Sequence, residues 1–180
     1  MTRFEIPPGS LHLAKGDIAS WPSTAVVNAA NSRLAGGSGV DGAIHRAAGP
    51  ELPGACREII AAREEVRAGE AVITPGFAMQ ARFILHAVGP IWRGGHAGEP
   101  DALGRTYRSC LALCREHAID SVAFPAISCG AYGYPVELAA PIALAELAQG
   151  LSAGLVREAW MVLYSSQAYE TWLGIARQIL

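Results

Sequence analysis

Residues 26–45 have the sequence VVNAANSRLAGGSGVDGAIH. An apolar run ends at Asn28, a second asparagine follows at Asn31, and a glycine cluster leads to Asp41, where a helical pattern begins. A strand, a polar turn, a glycine-rich loop and a helix start, in that order, direct backbone N–H groups towards one point. The segment therefore predicts an anion-binding loop between a strand and a helix.

Strands and helices alternate on both sides of this segment. The patterns predict strands over 11–15, 25–27, 71–73, 82–88, 122–124 and 158–164. They predict helices over 41–48, 53–67, 101–117, from about residue 135 to residue 149, and over 166–179. This alternation is typical of a largely parallel sheet with helices on both faces, and 180 residues suit a single domain, 1–180. Pro141 lacks a backbone N–H, so the fourth helix is expected to kink or to begin late.

Three polar or glycine-rich segments directly follow predicted strands: 28–42, 125–135 and 165–167. Ligands of such α/β sheets bind beyond the carboxyl ends of the strands. We therefore expect these segments to converge on one crevice. The Gly/His/Pro segment 94–100 is expected to be a mobile surface loop.

Composition and charge exclude several classes of protein. Hydrophobic residues make up 51% of the chain and charged residues 17%, which favours one buried core over disorder. The net charge is −2 and Lys15 is the only lysine, so a broad nucleic-acid surface is not expected. Neither an apolar leader in residues 1–8 nor a run of membrane-spanning length occurs, so no membrane association is expected.

The four cysteines are Cys56, Cys110, Cys114 and Cys129, and no two of them form a Cys-x-x-Cys pair. Without a leader, disulfides are not expected, and a reducing cytoplasm is the simplest location. Cys110 and Cys114 share a helix face, where two buried thiols are favoured over a metal pair. No metal site and no cofactor is predicted.

The segment 37–42 (GSGVDG) matches the glycine pattern of dinucleotide-binding folds. That fingerprint needs its glycines directly after the strand and an acid at the end of the next strand. Here residues 28–36 intervene, and the acids about 20 residues further on, Glu64 and Glu65, lie in a helical pattern. An NAD-type domain is therefore disfavoured, although the glycines still suit close approach to a diphosphate.

Asp41 has two interpretations that local spacing leaves open. A carboxylate repels a neighbouring phosphate, so Asp41 in an anion loop is expected to face water, a sugar or a metal. Alternatively it is a helix N-terminal aspartate stabilised by the helix dipole. Asn28 and Asn31 either satisfy loop backbone groups or bind ribose hydroxyls through their amides. His45, one turn after Asp41, is favoured as a structural histidine over a base or ligand.

A second small-residue loop spans 126–134. Ser128, Gly130 and Gly133 permit another phosphate cradle, and Tyr132 is placed to pack on a sugar. The alternative is a glycine turn before a proline-initiated helix. Cys129 is disfavoured as a nucleophile because no histidine lies near it in the sequence.

Five segments together resemble the macrodomain family, most closely its MacroD-type branch, which includes bacterial O-acetyl-ADP-ribose deacetylases. They are 16–18 (GDI), 27–31 (VNAAN), 36–50 (GGSGVDGAIHRAAGP), 86–92 (HAVGPIW) and 122–135 (VAFPAISCGAYGYP). The resemblance covers about residues 11–180 and implies a three-layer α/β/α fold with a mixed, mostly parallel central sheet. It implies ADP-ribose as ligand and hydrolysis of ADP-ribose esters: O-acetyl-ADP-ribose, and mono-ADP-ribose on acidic side chains of proteins. Branch members need no metal.

The resemblance also implies residue roles. Asp17 would bind the adenine amino group beside the Ile18 backbone, and Tyr164 would lie near the adenine. Asn31 would hold the distal ribose, and Asp41 would orient or activate the attacking water. Two loops would wrap the diphosphate, with Tyr132 against the distal ribose: Gly37, Ser38, Gly39, Val40 and Asp41 in the first, and Ser128, Cys129, Gly130, Ala131 and Tyr132 in the second.

The chain departs from the family pattern at four places. Ser38 replaces a glycine and Cys129 a threonine; these two departures leave the affinity open and do not change the expected activity class. Ser165-Ser166 replaces an acidic pair, and Pro141 is unusual in its helix. Two other functions stay open: a non-catalytic ADP-ribose reader, and a phosphatase acting on ADP-ribose 1″-phosphate.

Overall fold

The computed structural model describes residues 1–180 and contains one seven-stranded sheet. The strands are β1 (Thr2–Ile6), β2 (Gly9–Lys15), β3 (Ala25–Ala29), β4 (Ala71–Pro75), β5 (Phe83–Ala87), β6 (Ser121–Phe124) and β7 (Glu158–Leu163). Their order in the sheet is β1-β2-β7-β6-β3-β5-β4. The five inner strands are parallel, and β1 and β4 pair antiparallel at the two edges. The sheet is therefore mixed and mostly parallel, as predicted.

Five α-helices cover the two faces of the sheet: α1 (Gly39–Ala48), α2 (Leu52–Arg63), α3 (Glu99–Glu116), α4 (Val136–Ser152) and α5 (Ser166–Ile179). A short 3₁₀ helix spans Ile18–Ser20. Residues of α3, α4 and α5 belong to one hydrophobic cluster of 29 buried residues, and residues of α1 and α2 belong to a second cluster of 15. The sheet lies between these clusters, which confirms the predicted three-layer fold. None of the helices has the length and apolar character needed to span a bilayer.

Strand β3 shows how the sequence builds this sandwich. Val26 and Val27 are both fully buried, but Val26 belongs to the smaller cluster and Val27 to the larger one. Successive strand residues point to opposite faces, so a continuous apolar run fits a strand covered on both sides. Each buried valine contributes about 1.5–3 kcal/mol relative to an exposed one. This burial fixes the carboxyl end of β3, where the polar residues begin.

Two features differ from the sequence-based expectations. The edge strand β1 was not predicted, because its residues alternate only between half-buried and exposed and Pro7-Pro8 follows directly. The predicted late start of α4 is wrong: the helix begins at Val136 and continues through Pro141 to Ser152. A proline inside a helix costs about 3 kcal/mol. Burial of Ala140, Leu144 and Leu147 against the larger cluster offsets this cost.

Candidate functional site

A cleft of about 900 Å³ opens at the carboxyl ends of the five parallel strands. Its walls contain residues from all three polar or glycine-rich segments that follow strands, which therefore converge as expected. Fourteen of the fifteen site residues predicted from sequence line it: Asp17, Ile18, Asn31, Gly37, Ser38, Gly39, Val40, Asp41, Ser128, Cys129, Gly130, Ala131, Tyr132 and Tyr164.

Asp41 lies in the first turn of α1, at the mouth of the glycine loop. It is only 7% exposed, and its Oδ1 accepts a hydrogen bond from Asn28 Nδ2 at 2.8 Å. The second oxygen, Oδ2, lies beside Gly37, 3.3 Å from where a Cβ on that glycine would stand. The carboxylate is thus held through one oxygen while it lines the cleft. Asp41 is thus a first-turn aspartate that also lines the cleft, so its position is compatible with both interpretations from sequence.

Asn28 is the one predicted contact residue that does not line the cleft. It is fully buried in β3, between Asp41 and His86. Its role as a direct ribose contact is therefore corrected, because its amide is used behind the site. Strand alternation explains the placement: Asn28 points into the layer beneath α1.

A buried chain of polar side chains supports this arrangement. Thr74 Oγ1 and His86 Nε2 are 2.9 Å apart, and His86 Nδ1 lies 3.2 Å from Asn28 Nδ2. Burial, together with the nearby His45, lowers the pKa of His86 to about 3, so the ring is neutral. A neutral ring accepts from Asn28 at Nδ1 and donates to Thr74 at Nε2. The amide of Asn28 is thereby bonded both to Asp41 and to the neutral His86, and Thr74 pairs with the far side of that ring. Sequence reasoning did not identify Thr74 as part of this chain.

His45 lies one turn after Asp41 on α1. Its Nε2 is 3.4 Å from Asp41 Oδ1 but makes no hydrogen bond there. The ring also stands 3.5 Å from where a Cβ on Gly36 would be, so it packs behind the glycine loop. The structural role that the sequence favoured is consistent with this placement.

Asn31 makes hydrogen bonds within the turn that precedes the first loop, and it also lines the cleft. Its Nδ2 donates to the Gly36 carbonyl at 2.9 Å, and its Oδ1 accepts from the N–H groups of Arg33 and Ala35 at 3.2 and 3.1 Å. These bonds fold residues 31–36 into a compact turn. The side chain remains half-buried at the cleft wall.

The first loop presents backbone donors to the cleft. Ser38 is the N-cap residue of α1, and its side chain makes no capping hydrogen bond. Gly39 adopts a φ of 58°, a conformation that favours glycine. The first N–H groups of a helix have no intrahelical acceptor, and they carry partial positive charge. This end of α1 is therefore suited to an anion.

The second loop is folded by its own backbone. Tyr134 N–H donates to the Ser128 carbonyl at 2.9 Å, and Gly133 N–H donates to the Gly130 carbonyl at 2.9 Å. Ser128 has a φ of 65°. Burial raises the pKa of Cys129 to about 12, so its sulfur is a thiol and not a thiolate. A thiol is a poor nucleophile, which agrees with the disfavoured role of Cys129.

Asp17, another lining residue of the cleft, caps the 3₁₀ helix. Its Oδ1 accepts from Ala19 N–H at 2.9 Å. Tyr164, at the end of β7, is 81% exposed, and its ring is free to cover a flat ligand. The lining residues that sequence reasoning missed include Arg46 on α1 and Trp172 on α5. Both residues lie on amphipathic helices, where the sequence pattern does not distinguish a residue that lines a cleft from an ordinary surface or core residue.

The charged residues that line the cleft limit the kinds of ligand that it can bind. Its charged lining residues are Asp17, Asp41 and Arg46, and Arg46 is exposed. With a single arginine at the cleft, a phosphate would depend mainly on the backbone N–H groups of the two loops. No group of three or more His, Cys, Asp or Glu side chains is arranged to hold a metal ion.

Comparison with known proteins fits this geometry. A family model described as Macro domain matches residues 27–143. The chain belongs to the macro domain family. A macro domain-containing protein of Ralstonia nicotianae is 55% identical over 139 residues, which cover 77% of this macrodomain and 79% of the relative. A protein of Salmonella gallinarum named O-acetyl-ADP-ribose deacetylase is 43% identical over 169 residues, 93% of this chain and 94% of its own.

Solved structures show the same fold. The Oceanobacillus iheyensis macrodomain with ADP superposes with a TM-score of 0.95 at 40% identity, covering 98% of this chain and 95% of the other. The Trypanosoma brucei macrodomain in complex with ADP-ribose has a TM-score of 0.80 at 37% identity, covering 92% of this chain and 68% of the other. The chain therefore has the macrodomain fold over nearly its whole length.

Proposed function

We propose that this macrodomain hydrolyses ADP-ribose esters: the acetyl ester of O-acetyl-ADP-ribose, and the ester that joins mono-ADP-ribose to acidic side chains of proteins. The observation that carries the proposal is the placement of Asp41. Its carboxylate lies at the mouth of the glycine loop and is held by a buried amide through one oxygen only. A pocket that only held an anion would gain nothing from a buried acid beside it.

The cleft offers a consistent position for each part of ADP-ribose. The adenine would lie between Asp17 and the exposed Tyr164, and the diphosphate would lie between the two loops. The distal ribose would then reach Asn31, Asp41 and Tyr132. Asp41 raises the pKa of Tyr132 in addition to the effect of burial, so the two side chains are within electrostatic reach. The raised pKa keeps the phenol protonated and able to donate to a ribose oxygen.

Charge separation supports this orientation. A carboxylate about 4 Å from a phosphate oxygen would be destabilised by roughly 4 kcal/mol at intermediate dielectric. The diphosphate is therefore expected at the backbone N–H groups, and Asp41 is left to the ribose and a water molecule. The same phosphates are placed to polarise that water from the substrate side.

The chemistry is the addition of water across an ester. Asp41 accepts a proton from the water, or orients it, and the products are a carboxylic acid and a ribose with a free hydroxyl group. General-base assistance of this kind contributes about 10²–10⁴-fold. The proposed partners are mono-ADP-ribosylated proteins, and the proposed location, from the cysteine pattern, is the cytoplasm.

The test has two steps. Calorimetry compares the binding of ADP-ribose, ADP and NAD, and a coupled assay then measures acetate released from O-acetyl-ADP-ribose. We expect ADP-ribose to bind best and acetate to be released with turnover. Binding of ADP-ribose without acetate release would identify a reader and contradict the hydrolase. Release of phosphate from ADP-ribose 1″-phosphate, but not of acetate, would favour the phosphatase.

A further inference from the structure

The segment between β5 and α3 is anchored by one buried carboxylate. Glu99 is 3% exposed, and its Oε1 accepts from the N–H groups of Arg93 and Gly95 at 2.7 and 3.1 Å. Its Oε2 accepts from the N–H of Ala97 at 2.7 Å. The mobile loop expected over 94–100 is therefore tied at two of its backbone positions, Gly95 and Ala97, and at Arg93 directly before it. All three donors precede Glu99 in the chain, so the carboxylate organises the segment before the helix.

The anchored segment reaches the second loop of the cleft through Trp92. The Trp92 N–H donates to the Tyr132 carbonyl at 2.9 Å. The Trp92 ring packs against Tyr134 with the ring centroids 4.5 Å apart. Tyr134 in turn donates its N–H to Ser128 at the start of the same loop. Trp92 therefore contacts the loop on both sides of Gly133, through its backbone N–H at Tyr132 and through its ring at Tyr134. Gly133 itself has a positive φ of 68°.

The absence of a side chain at Gly95 leaves room for the indole ring of Trp92. A Cβ on Gly95 would stand 2.8 Å from the Trp92 ring, closer than side chains tolerate. Glu99 holds the Gly95 N–H, and Gly95 lies against Trp92. The contacts therefore run without interruption from the carboxylate to the carbonyl of Tyr132.

We propose that Glu99 is a positioning residue for the ligand cleft, which acts through Trp92 to set where Tyr132 stands over the distal ribose. This inference rests on the proposed function only in the assignment of Tyr132 to that ribose. Glu99 itself does not line the cleft.

The charge of Glu99 suits a permanent anchor. Burial raises the pKa of its carboxyl group, but the backbone N–H donors outweigh burial and lower the pKa to about 2. The group is therefore ionised at any pH at which the protein would work. Hydrogen bonds to an ionised acceptor are shorter and stronger than neutral ones.

The experiment compares two ligands that differ by the distal ribose, ADP-ribose and ADP, in four proteins. They are the wild type, Glu99→Gln, Gly95→Ala and the control Gly94→Ala. The glutamine removes the charge and turns an amide N–H₂ towards a backbone donor. Gly95→Ala displaces the indole without any change of charge. Gly94→Ala introduces alanine at a similarly positive φ of 95°, where the nearest atom is a His96 ring carbon at 3.9 Å.

We expect Glu99→Gln and Gly95→Ala to weaken ADP-ribose binding about tenfold, the size of one lost polar contact, while ADP affinity stays within about twofold. Gly94→Ala should leave the ratio of the two affinities unchanged. Binding of ADP also shows that each variant is folded. If Glu99→Gln fails to bind ADP, the affinity ratio of Gly95→Ala alone decides whether the positioning role holds.

Equal loss of both ligands in Gly95→Ala, or no loss of either, would overturn the positioning role. The affinity ratio needs no turnover. A wild type that binds ADP-ribose but releases no acetate would therefore refute the hydrolase and leave this inference to be decided by the ratio. Where turnover occurs, kcat on O-acetyl-ADP-ribose should fall in both variants as well.

Discussion

Asn28 at the end of β3 and Asp41 in the first turn of α1 share a buried hydrogen bond of 2.8 Å across thirteen positions of sequence. The bond joins the sheet to the helix whose first turn borders the cleft. It also leaves Asp41 Oδ2 as the oxygen available beside Gly37. Strand β3, and not the glycine loop, therefore orients the carboxylate of Asp41.

Replacing Asn28 with alanine should therefore lower turnover without removing ligand binding. Asp41 would lose its donor and His86 its neighbour, so the free energy of unfolding should fall by about 1–3 kcal/mol. We expect kcat on O-acetyl-ADP-ribose to fall at least about tenfold, because a misplaced base loses alignment with the water. Steady-state kinetics and urea unfolding measure the two effects.

Thr74→Val is the matched control, since it cuts the same polar chain at its far end, where Thr74 meets His86. It should destabilise the fold to a similar degree and leave kcat nearly unchanged. If Asn28→Ala keeps full turnover, Asn28 does not position Asp41, and if both variants lose turnover equally, the loss reflects destabilisation of the fold and not the bond from Asn28 to Asp41.

The stability of the protein should decrease as the pH falls below the ordinary range of histidine. Burial lowers the pKa of His86 from 6.5 to about 3 and also lowers that of His12. At pH values between about 6.5 and 3, the unfolded chain therefore binds more protons than the folded chain does. The free energy of unfolding consequently decreases as the pH decreases. Urea unfolding at pH values from about 7 to about 5 should show this slope. In this range Glu99 does not yet contribute, since its pKa of about 2 and its ordinary value of 4.5 both lie lower.

His86→Gln supplies the control for this slope. Glutamine retains a donor and an acceptor but does not titrate, so only the contribution of His12 should remain. A variant with the same slope as the wild type would show that His86 is not buried as a neutral ring.

Cys129 should be dispensable for catalysis although it lines the cleft. Burial raises the pKa of its thiol to about 12, which leaves almost no thiolate at neutral pH. We expect Cys129→Ser to retain turnover within about threefold, since a serine conserves the volume and adds a donor. Loss of all acetate release in this variant, together with rapid inactivation of the wild type by iodoacetamide, would instead identify a nucleophilic thiol.

Gly89→Ala should disturb the second loop directly. A Cβ at this position would stand 2.2 Å from Ser128 Oγ and 2.6 Å from Ile127 Cγ2, so the start of the loop must move. We expect a loss of about 1–3 kcal/mol in the free energy of unfolding and weaker ADP binding. Gly174→Ala in α5, with open space around the new methyl group, should be neutral or stabilising by up to about 1 kcal/mol. Equal melting temperatures and ADP affinities in the two variants would refute the close contact.

The sequence predicts the sheet and the cleft well because both depend on local patterns. The continuous apolar run at 25–27 identifies a strand buried on both faces, and the glycine loops at strand ends locate the cleft. The edge strand β1 escapes prediction because half-exposed alternation beside Pro7-Pro8 resembles a loop. The course of α4 through Pro141 depends on packing against the larger cluster, which no local pattern reveals.

The residues of the site also divide into those that local sequence patterns predict and those whose placement depends on packing. The glycine loop that follows β3 brings Asp41 to the cleft, although local spacing left two interpretations of this residue open, whereas Asn28 was assigned to the ligand and lies behind it. An asparagine at a strand end can face either layer, and only the alternation within β3 decides which. The contacts from Glu99 through Trp92 to Tyr132 join segments more than thirty residues apart, so they could not be predicted from spacing.

The hydrolysis of O-acetyl-ADP-ribose by Asp41→Asn, set beside its affinity for ADP-ribose, tests the central claim most directly. Asparagine conserves the shape and the oxygen that accepts from Asn28, but it cannot take a proton from water. We predict that kcat falls about 10²–10⁴-fold while ADP-ribose still binds within about tenfold of the wild type. Turnover that survives the substitution, or binding that is lost with it, would contradict a catalytic Asp41.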